Sequence, residues 1–566
     1  MTHLVTALSC LFFMLIVAAV SYLKTKGDTD TRDGYFLANR GLNGIFIAGS
    51  MLLTNLSAEQ LIGLNGSAYG FNLSSMAWEV TAAASTICMA LIFLPRYLAG
   101  AFTTLPEFLS QRFDDDVRRM TVLLFMVGYG LVTIPSVLYS GSIAVLLLFD
   151  FPGILNVSYS QALVMTIVLI GLVGSFYAIF GGLKAVAVSD TLNGIGLLII
   201  GITVPLLGLS TLGSGSIIEG LSIITTNNTH KLNAIGSASD PTPFGTIFTG
   251  MIFANLFYWC TNQYVIQRTL AARDLSEGQK GVLFSGFFKV MIPFMMMIPG
   301  VIAYHLYGES LVSIDQAYPR LIRDVLPNYA KGFFLAVLLG AVFSSYNSLL
   351  NSAATLFCLD VYVPMCRGNV DDKKLVRVAK YASVSIALFS FLVAPLLQYA
   401  PDGLWQIIRI FTGFYNIPVI VLVIVGLFTK RVPPIGAKIV IIMHIILYTL
   451  FQFIFKDYLD IHFLHLYAIL FVLEVMVMLA AGYLDPLQTP WVYSNREVVD
   501  LTPWKYVIPL SVTLFSAIVF LYLLFSPVGV VHGFSTLFWP IVSLLVVINM
   551  FIWLVKIFDL NVGLKF

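Results

Sequence analysis

Apolar runs of about twenty residues or more recur from one end of the chain to the other, with short polar loops between them. A bilayer core about 30 Å thick is crossed by about 20 helical residues, so each run predicts a membrane-spanning helix. About fifteen runs meet this criterion. They cover approximately residues 3-23, 43-70, 77-99, 119-149, 160-181, 185-209, 243-270, 280-307, 331-364, 375-400, 404-429, 434-456, 460-484, 504-526 and 534-558.

The composition supports lipid as the solvent of most of this chain. Hydrophobic residues fill 58% of the 566 positions, charged residues only 11%, and the mean hydropathy is +0.91. A soluble core of this length contains far less apolar surface. The pattern therefore predicts an all-α integral membrane protein in contact with a lipid bilayer. The net charge of +2 gives no reason to expect a nucleic-acid partner.

Lys and Arg are concentrated in alternate loops, which predicts the orientation of the chain. The loops that are rich in Lys and Arg lie around residues 24-40, 112-119, 268-280, 367-380 and 430-431. Cytoplasmic loops carry the positive excess in membrane proteins, so these loops should face the cytoplasm. The N-terminus is then outside. We expect a multi-pass protein of the plasma membrane, and in a bacterium of the inner membrane.

Other protein classes leave signals that this sequence lacks. The five cysteines are scattered and form no CxxC motif, so we expect neither a disulfide nor a metal cluster. His462 and His465 stand together at a span end, where an interfacial role is the better interpretation. An enzyme would need a nucleophile–base pair, and a channel would show a repeated pore loop. The sequence shows neither signal. A transporter-like sensor would add a signalling domain, and no such domain is visible.

Polar blocks interrupt two of the predicted spans. Span 43-70 contains Thr54 to Gln60 (TNLSAEQ), and span 243-270 contains Asn255 to Gln263 (NLFYWCTNQ). Polar side chains satisfy the backbone groups that are freed where a helix breaks, and such breaks occur around cavities. Each interrupted span opens a group of five helices. Corresponding interruptions in two halves of a chain indicate the binding site of an inverted-repeat transporter.

A third polar cluster lies in the eighth span after the first. It runs from Ser344 to Ser348 and continues with Asn351 and Ser352. Sodium prefers several hard oxygen ligands, which paired hydroxyls and freed carbonyls supply without a fixed charge. Small residues also permit close helix packing, so the cluster alone leaves both interpretations open.

Ionisable side chains inside a span are costly, so each one is a candidate for function, although a structural ion pair is the alternative. The candidates are Glu59, Glu79, Asp190, Lys289 and Arg409, with Arg268 near a cytoplasmic end.

At these residues the sequence resembles the solute-sodium symporter family, and most closely its sodium/sugar branch, of the sodium/galactose symporter type. The matching stretches are Asn55 to Gly63 (NLSAEQLIG), Gly181 to Asp190 (GGLKAVAVSD), Asn255 to Ala272 (NLFYWCTNQYVIQRTLAA), Gln279 to Lys289 and Ala341 to Thr355. The resemblance implies a five-plus-five inverted-repeat transporter fold and sodium-coupled symport of a sugar or sugar derivative by alternating access. The transport core is then 43-430, with an extra N-terminal helix and loop at 1-42 and C-terminal helices at 431-566.

The resemblance also implies sodium ligands, residue by residue. Sodium would be held by the backbone carbonyls of Leu53, Leu56 and Ala341 and by the hydroxyls of Ser344 and Ser345. Asp190 would lie on the path by which sodium leaves. A second sodium ion could use Asp190, Ser344 and Ser348, but Asn347 stands where relatives with that site have serine. The number of sodium ions therefore stays open.

The matching positions for the solute combine hydrogen-bonding and aromatic side chains, which is how polyols are recognised. They are Asn55, Gln60, Glu79, Asn255 and Lys289 for the hydroxyls, Tyr258 as the inner gate, and Leu64 and Trp405 in the outer gate.

Two positions depart from the galactose-type pattern. Arg409 replaces a glutamine, and Ala82 replaces a serine one turn beyond Glu79. A guanidinium in the pocket favours a solute with a carboxylate or sulfate group. It could instead pair with Glu79 and leave a neutral solute. The sequence keeps open an anionic sugar and other small solutes, among them sialic acid, another organic anion or an amino acid.

Overall fold

The computed structural model describes residues 2–25, 31–148, 152–153, 156–311, 313–366, 370–399, 404–455, 458, 461–493 and 495–558. These residues are organised almost entirely as helices, and the one β-type contact among them is an isolated parallel bridge between Leu42 and Ala272. The first eleven helices are α1 (Thr2–Thr25), α2 (Arg32–Leu37), α3 (Gly44–Asn55), α4 (Ala58–Gly70), α5 (Met76–Cys88), α6 (Leu94–Gly100), α7 (Leu105–Arg112), α8 (Asp115–Gly128), α9 (Ile134–Leu148), α10 (Tyr159–Leu212) and α11 (Ile217–Thr226).

The remaining helices continue in the same manner, and wide π-helical turns join several of them into longer spans. They are α12 (Gly250–Cys260), α13 (Gln263–Leu270), α14 (Leu275–Ile292), α15 (Ile298–Tyr307), α16 (Ala317–Val325), α17 (Asn328–Thr355), α18 (Val363–Met365), α19 (Asp372–Val393), α20 (Leu404–Phe428), α21 (Pro434–Thr449), α22 (Phe463–Leu484), α23 (Val507–Leu524) and α24 (Phe538–Ile557). The π-helical turns are Met89–Phe93, Tyr129–Thr133, Pro293–Met297, Leu356–Tyr362 and Leu450–Ile454. The 3-10 turns are Ala38–Arg40, Leu73–Ser75, Thr229–Leu232, Phe244–Phe248, Ile314–Gln316 and Ala394–Tyr399.

The spans agree well with the hydrophobic pattern. Within the described residues, 12 helical segments are long and apolar enough to cross a membrane, and 13 when the bent pair α3–α4 counts as one span. The other two predicted spans contain the shorter apolar helices Tyr159–Ser175 and Gly250–Cys260. The second of these is short because α12 ends at the polar block. The expected all-α membrane architecture of about fifteen helices is confirmed in outline.

The long element α10 covers two of the predicted spans. Gly174 packs against Tyr346, and Gly196 packs against Val337 of the same helix, α17. A straight helix would separate the two glycines by about 33 Å, whereas Val337 and Tyr346 lie only about 14 Å apart along α17. The element must therefore bend between the glycines, and its two apolar parts, Tyr159–Ser175 and Leu183–Leu212, correspond to the two predicted spans.

The two interrupted spans lie at the centre of the helix packing. Helix α3 packs against α10 and α14, and α12 packs against α5, α20 and α22. Gly49 and Gly281 allow this close approach, since a Cβ at Gly49 would collide with Thr191 and a Cβ at Gly281 with Ile47. The breaks are thus enclosed by protein, which is the condition under which irregular backbone is tolerated inside a membrane.

Candidate functional site

The first predicted break is a true interruption of the helix. Helices α3 and α4 meet at 63°, and Leu56 between them has φ −82° and ψ 86°, outside the helical region. In a continuous helix the N–H of Ser57 would donate to the carbonyl of Leu53. Here it donates to the carbonyl of Asn55 at 3.0 Å. The carbonyl of Leu53 is therefore freed from the helical ladder in the middle of the span.

The freed carbonyls face the serine pair of α17. The hydroxyl of Ser345 donates to the carbonyl of Leu53 at 3.3 Å and to that of Thr54 at 3.1 Å. Ala341 lies one turn earlier in α17, and it is fully buried, as is Leu56. The structure thus brings two of the predicted ligands, the carbonyl of Leu53 and the hydroxyl of Ser345, into contact between α3 and α17. Both are neutral oxygen donors of the kind that sodium prefers.

Asp190 lies beside this oxygen-rich site and is completely buried. Its carboxylate accepts a hydrogen bond from Ser50 at 2.6 Å and interacts with the hydroxyl of Ser344. Ser50 in turn accepts from the Nε of Arg268 at 2.7 Å. The guanidinium of Arg268 also contacts Ser348. Ser50 therefore links two opposite charges and connects α3 with α10 and α13, while Arg268 extends the network to α17. The sequence pattern gave no reason to assign this role to Ser50.

A cavity lies next to the sodium candidates, between α4, α5, α12, α14 and α20. Seven of the predicted solute-binding residues line it, namely Asn55, Gln60, Glu79, Asn255, Tyr258, Lys289 and Arg409. The side chain of the eighth, Trp405, lies outside the described residues. Leu64 is buried but is not part of the lining. Residues separated by more than 350 positions in the chain are thus gathered around one space.

Glu79 and Lys289 form a buried ion pair at the edge of this cavity. The Lys289 ammonium lies 2.5 Å from one carboxylate oxygen of Glu79, and the amide of Gln60 donates to the other oxygen at 3.0 Å. The side chains of Lys289 and Glu79 are 1% and 3% exposed. Both oxygens of Glu79 are therefore engaged by neighbours other than Arg409. The ammonium also lies 5.2 Å from the ring centre of Trp259.

Arg409 approaches the cavity from α20 and stacks over Trp78, with its guanidinium carbon 4.4 Å from the ring centre. Its charge acts on the carboxylate of Glu59. Glu59 lies in the first turn of α4, where the helix dipole favours a negative charge. The acidic and basic residues that line the cavity are thus two glutamates, one lysine and one arginine, and their formal charges cancel.

Tyrosines cover another side of the cavity. Tyr258 accepts a hydrogen bond from the hydroxyl of Tyr264 at 2.7 Å, and the hydroxyl of Tyr129 donates to Asn262 at 2.5 Å. Asn255 donates to Thr81 at 2.9 Å. The cavity is also lined by residues that are not among the eight solute-binding residues expected from the sequence. They are Glu59, Trp78, Ala82, Thr133, Ala254, Trp259, Asn262, Tyr264, Ile408, Thr412, Tyr415, Asn416 and Tyr467.

Some of these additional residues carried a signal in the sequence, and others did not. Glu59 and Trp78 each precede a predicted ligand. Asn262 belongs to the second polar block, and Tyr264 follows directly after it. Tyr415 and Tyr467 stand in long apolar runs with no distinguishing pattern. Only the three-dimensional packing brings them to the cavity.

The sequence profile of the Sodium:solute symporter family matches residues 35–443, which is more than half of the chain. The chain belongs to this family. Sodium is the coupling ion of this family, and its members are transporters rather than enzymes, as the sequence predicts. This symporter is accordingly a multi-pass membrane protein.

Named relatives agree with this assignment. The symporter is 42% identical over 549 residues to the "Uncharacterized symporter YidK" of Escherichia coli (strain K12), with 97% of this chain and 95% of that protein covered. It is 31% identical over 449 residues to the "Sodium/glucose cotransporter" of Vibrio parahaemolyticus, covering 74% and 79%. A solved Na+-coupled sialic acid symporter, in a substrate-bound outward-open state, shares the fold with a TM-score of 0.75 at 21% identity, covering 86% of this chain and 99% of that one.

Proposed function

We propose that this symporter couples the entry of sodium to the uptake of a neutral polyhydroxylated solute, a sugar or a cyclic polyol. The single observation that carries the proposal is the charge balance of the cavity. Glu59, Glu79, Lys289 and Arg409 already cancel, so a neutral solute leaves the enclosed site neutral. A carboxylate or sulfate on the solute would bring an additional charge into a low-dielectric space, which is costly.

The chemistry of the lining supports a polyol. Amide groups of Asn55 and Asn255 and the hydroxyl of Tyr258 supply both donors and acceptors. Indole and phenol rings, among them Trp78 and Tyr415, supply apolar faces. Sugars present hydroxyls at their edges and C–H groups on their faces, so a mixed lining of this kind suits them.

The proposed coupling uses the break between α3 and α4. We infer that the carbonyls of Leu53, Leu56 and Ala341 hold sodium together with Ser344 and Ser345. Asn55 and Gln60, on the same short segment, would hold the solute. Because one irregular segment contributes to both sites, each ligand favours the backbone arrangement that the other requires, which is the condition for thermodynamic coupling.

The energy available from such coupling is sufficient for uptake against a gradient. One sodium ion that enters down about 100 mV contributes about 2.3 kcal/mol. A tenfold sodium gradient adds about 1.4 kcal/mol. The sum of about 3.7 kcal/mol supports accumulation of the solute by several hundredfold.

Transport measurements on purified protein in liposomes test the proposal. The panel contains D-glucose, D-galactose, myo-inositol, D-glucuronate, N-acetylneuraminate and a sulfated hexose, each with an inward gradient of sodium or of potassium. We expect uptake of at least one neutral solute that requires sodium. Sodium-driven uptake of the anionic solutes alone would contradict a neutral solute and favour the second candidate function, symport of an anionic sugar by charge-assisted binding to Arg409.

The charge balance makes a specific prediction for a pair of variants. Arg409→Gln leaves Glu59 uncompensated in a buried site, and we expect uptake of the neutral solute to fall at least about tenfold. Adding Glu59→Gln restores neutrality and should recover most of the uptake. Initial rates in liposomes measure both effects. If the double variant transports no better than Arg409→Gln, the guanidinium serves the solute directly and the balance argument is wrong.

Orientation and organisation are part of the proposal. We infer that the N-terminus faces outside and that the protein resides in the plasma membrane, the inner membrane in a bacterium. Residues 43–430 would form the transport core. Alternate loops rich in Lys and Arg support this arrangement.

Labelling of single cysteines by a membrane-impermeant maleimide should modify the loop 213-216 in intact cells and leave the loop 430-433 unmodified until the membrane is opened.

A further inference from the structure

Two helices beyond residue 430 hold the backbone of α20, the helix that carries Arg409. Three side chains from α21 and α22 donate hydrogen bonds to carbonyls of α20. They are Tyr467 to the carbonyl of Arg409 at 2.7 Å, Tyr448 to that of Ile410 at 2.8 Å, and the Nε2 of His444 to that of Gly413 at 3.0 Å. His444 and Tyr448 are fully buried, and Tyr467 is 1% exposed. The three donors cover slightly more than one turn of α20.

Helix α20 lacks part of its own hydrogen bonding near this point, so side-chain donors from other helices can determine its backbone geometry. Pro418 lies inside the helix and has no N–H, so the carbonyl of Phe414 lacks its usual partner four residues further on. Gly413 has no side chain, and a Cβ there would collide with the phenol groups of Tyr448 and Tyr467. Carbonyls that accept from side chains tilt out of the helical ladder, which is a known cause of bends.

Glu474 completes this arrangement. One of its carboxylate oxygens lies 2.6 Å from the Nδ1 of His444, and both side chains are 0% exposed. The carbonyl of Gly413 can only accept, so the Nε2 of His444 carries a proton. A second proton must then lie between Nδ1 and the carboxylate. The pair is electrically neutral whichever atom holds that proton, which makes its complete burial tolerable.

A buried pair of ionisable side chains inside membrane spans is costly to keep, which indicates that it has a task. The ring of Tyr448 also stacks on His444, with 5.5 Å between ring centres and 12° between planes. Tyr467 belongs to the same group of donors and at the same time lines the solute cavity. The group therefore reaches without a gap from the His444–Glu474 pair to the solute site.

We propose that His444, held by Glu474, is a positioning residue for solute binding. By holding the backbone of α20 at Gly413, it sets where Arg409 stands over Trp78 and the cavity. This inference rests on the proposed function, since it takes the cavity as the solute site. It makes α21 and α22 working parts of that site, although they lie outside the expected transport core.

Uptake kinetics of three variants test the inference. The probe is whichever of D-glucose, D-galactose and myo-inositol the unaltered protein takes up. His444→Leu should raise the half-saturating solute concentration about tenfold, the equivalent of one lost hydrogen bond in a buried site, with the maximal rate changed by less than about twofold. His444→Gln keeps a donor toward Gly413 and should restore the value to within about threefold. Thr449→Val removes a hydroxyl that bonds only within α21, to Ile445, and should change nothing.

Several results would overturn the inference. One is an unchanged half-saturating concentration in His444→Leu. Another is a loss of maximal rate alone, which is the result of a purely structural role. A failure of His444→Gln to restore binding while Thr449→Val behaves normally would also contradict it. Tyr467→Phe is a milder variant that removes a single hydroxyl, and it should raise the same concentration about threefold.

Amide hydrogen exchange keeps this inference separable from the proposed function. Peptides that cover residues 408–418 should exchange faster in His444→Leu than in the unaltered protein, with or without any solute. If the unaltered protein transports no neutral solute, the proposed function fails, and the exchange rates still decide whether His444 holds α20. Equal exchange in the two proteins would rule that out.

Discussion

Replacing Ser344 and Ser345 together by alanine should raise the half-saturating sodium concentration about 100-fold or more, so that uptake becomes insensitive to sodium in the ordinary range. Each hydroxyl is expected to contribute a bond to a cation, worth about 1.5–3 kcal/mol. The freed carbonyls of Leu53 and Leu56 would remain. They cannot hold the ion alone against its hydration, because sodium requires several oxygen ligands. Sodium titration of solute uptake in liposomes measures the change.

A matched control separates this effect from the loss of any buried hydroxyl. Ser142 in α9 is also fully buried, and its hydroxyl bonds only to the carbonyl of Leu138 in its own helix, at 2.8 Å. Ser142→Ala should leave the sodium titration unchanged. If the Ser344/Ser345 variant keeps ordinary sodium-driven uptake, the assignment of the sodium site to α3 and α17 is wrong.

Replacing Lys289 by methionine should abolish solute uptake and also destabilise the protein. The change leaves the carboxylate of Glu79 buried beside Gln60 without its cation, and an uncompensated buried charge of this kind costs about 3–5 kcal/mol. Thermal unfolding in detergent and uptake in liposomes are measured on the same preparation. The combination of Glu79→Gln with Lys289→Met removes both charges and should recover most of the stability, but not the uptake.

A second ion pair on the same helix provides the control. Lys280 lies 2.7 Å from Glu277, and its side chain is 30% exposed. Lys280→Met should change the free energy of unfolding by no more than about 1 kcal/mol, because water screens such a pair. A Lys289→Met protein as stable as Lys280→Met would contradict this prediction. Full uptake by the doubly neutral variant would show that the pair only supports the fold.

Much of the fold was predictable because lipid imposes simple rules on sequence. A span needs about 20 apolar residues, so the spans could be found by length alone. The break at Leu56 was predictable because a polar block has no other reason to stand in the middle of a span. The two parts of α10 were visible in the sequence as two apolar runs, although they form one continuous helical element.

The pairings inside the site were much less predictable. Glu59 and Arg409 are 350 positions apart, and nothing local indicates that they share a cavity. His444 and Glu474 lie within predicted spans, yet neither is among the ionisable residues named from the sequence. Each is one polar residue in a long apolar run. Their meaning depends on which carbonyl or carboxylate they meet, and that is decided by helix packing.

The role of Arg409 changes most between sequence and structure. The galactose-type pattern has a glutamine at position 409. Considered alone, the arginine found here favours a charged solute. Beside Glu59 and Trp78 it fits a site whose charges already cancel. Sequence patterns record which residues are present, whereas the sign and the balance of charge in a cavity depend on all the residues that line it.

The most direct test of the account is the flux of sodium itself. Purified protein in liposomes is given ²²Na⁺ outside, and the neutral solute that it takes up is then added on the same side. We expect the solute to accelerate the entry of sodium, and expect no acceleration in the Ser344→Ala/Ser345→Ala variant. If neutral sugars and cyclic polyols leave the sodium flux unchanged while D-glucuronate or N-acetylneuraminate accelerates it, the central claim is contradicted.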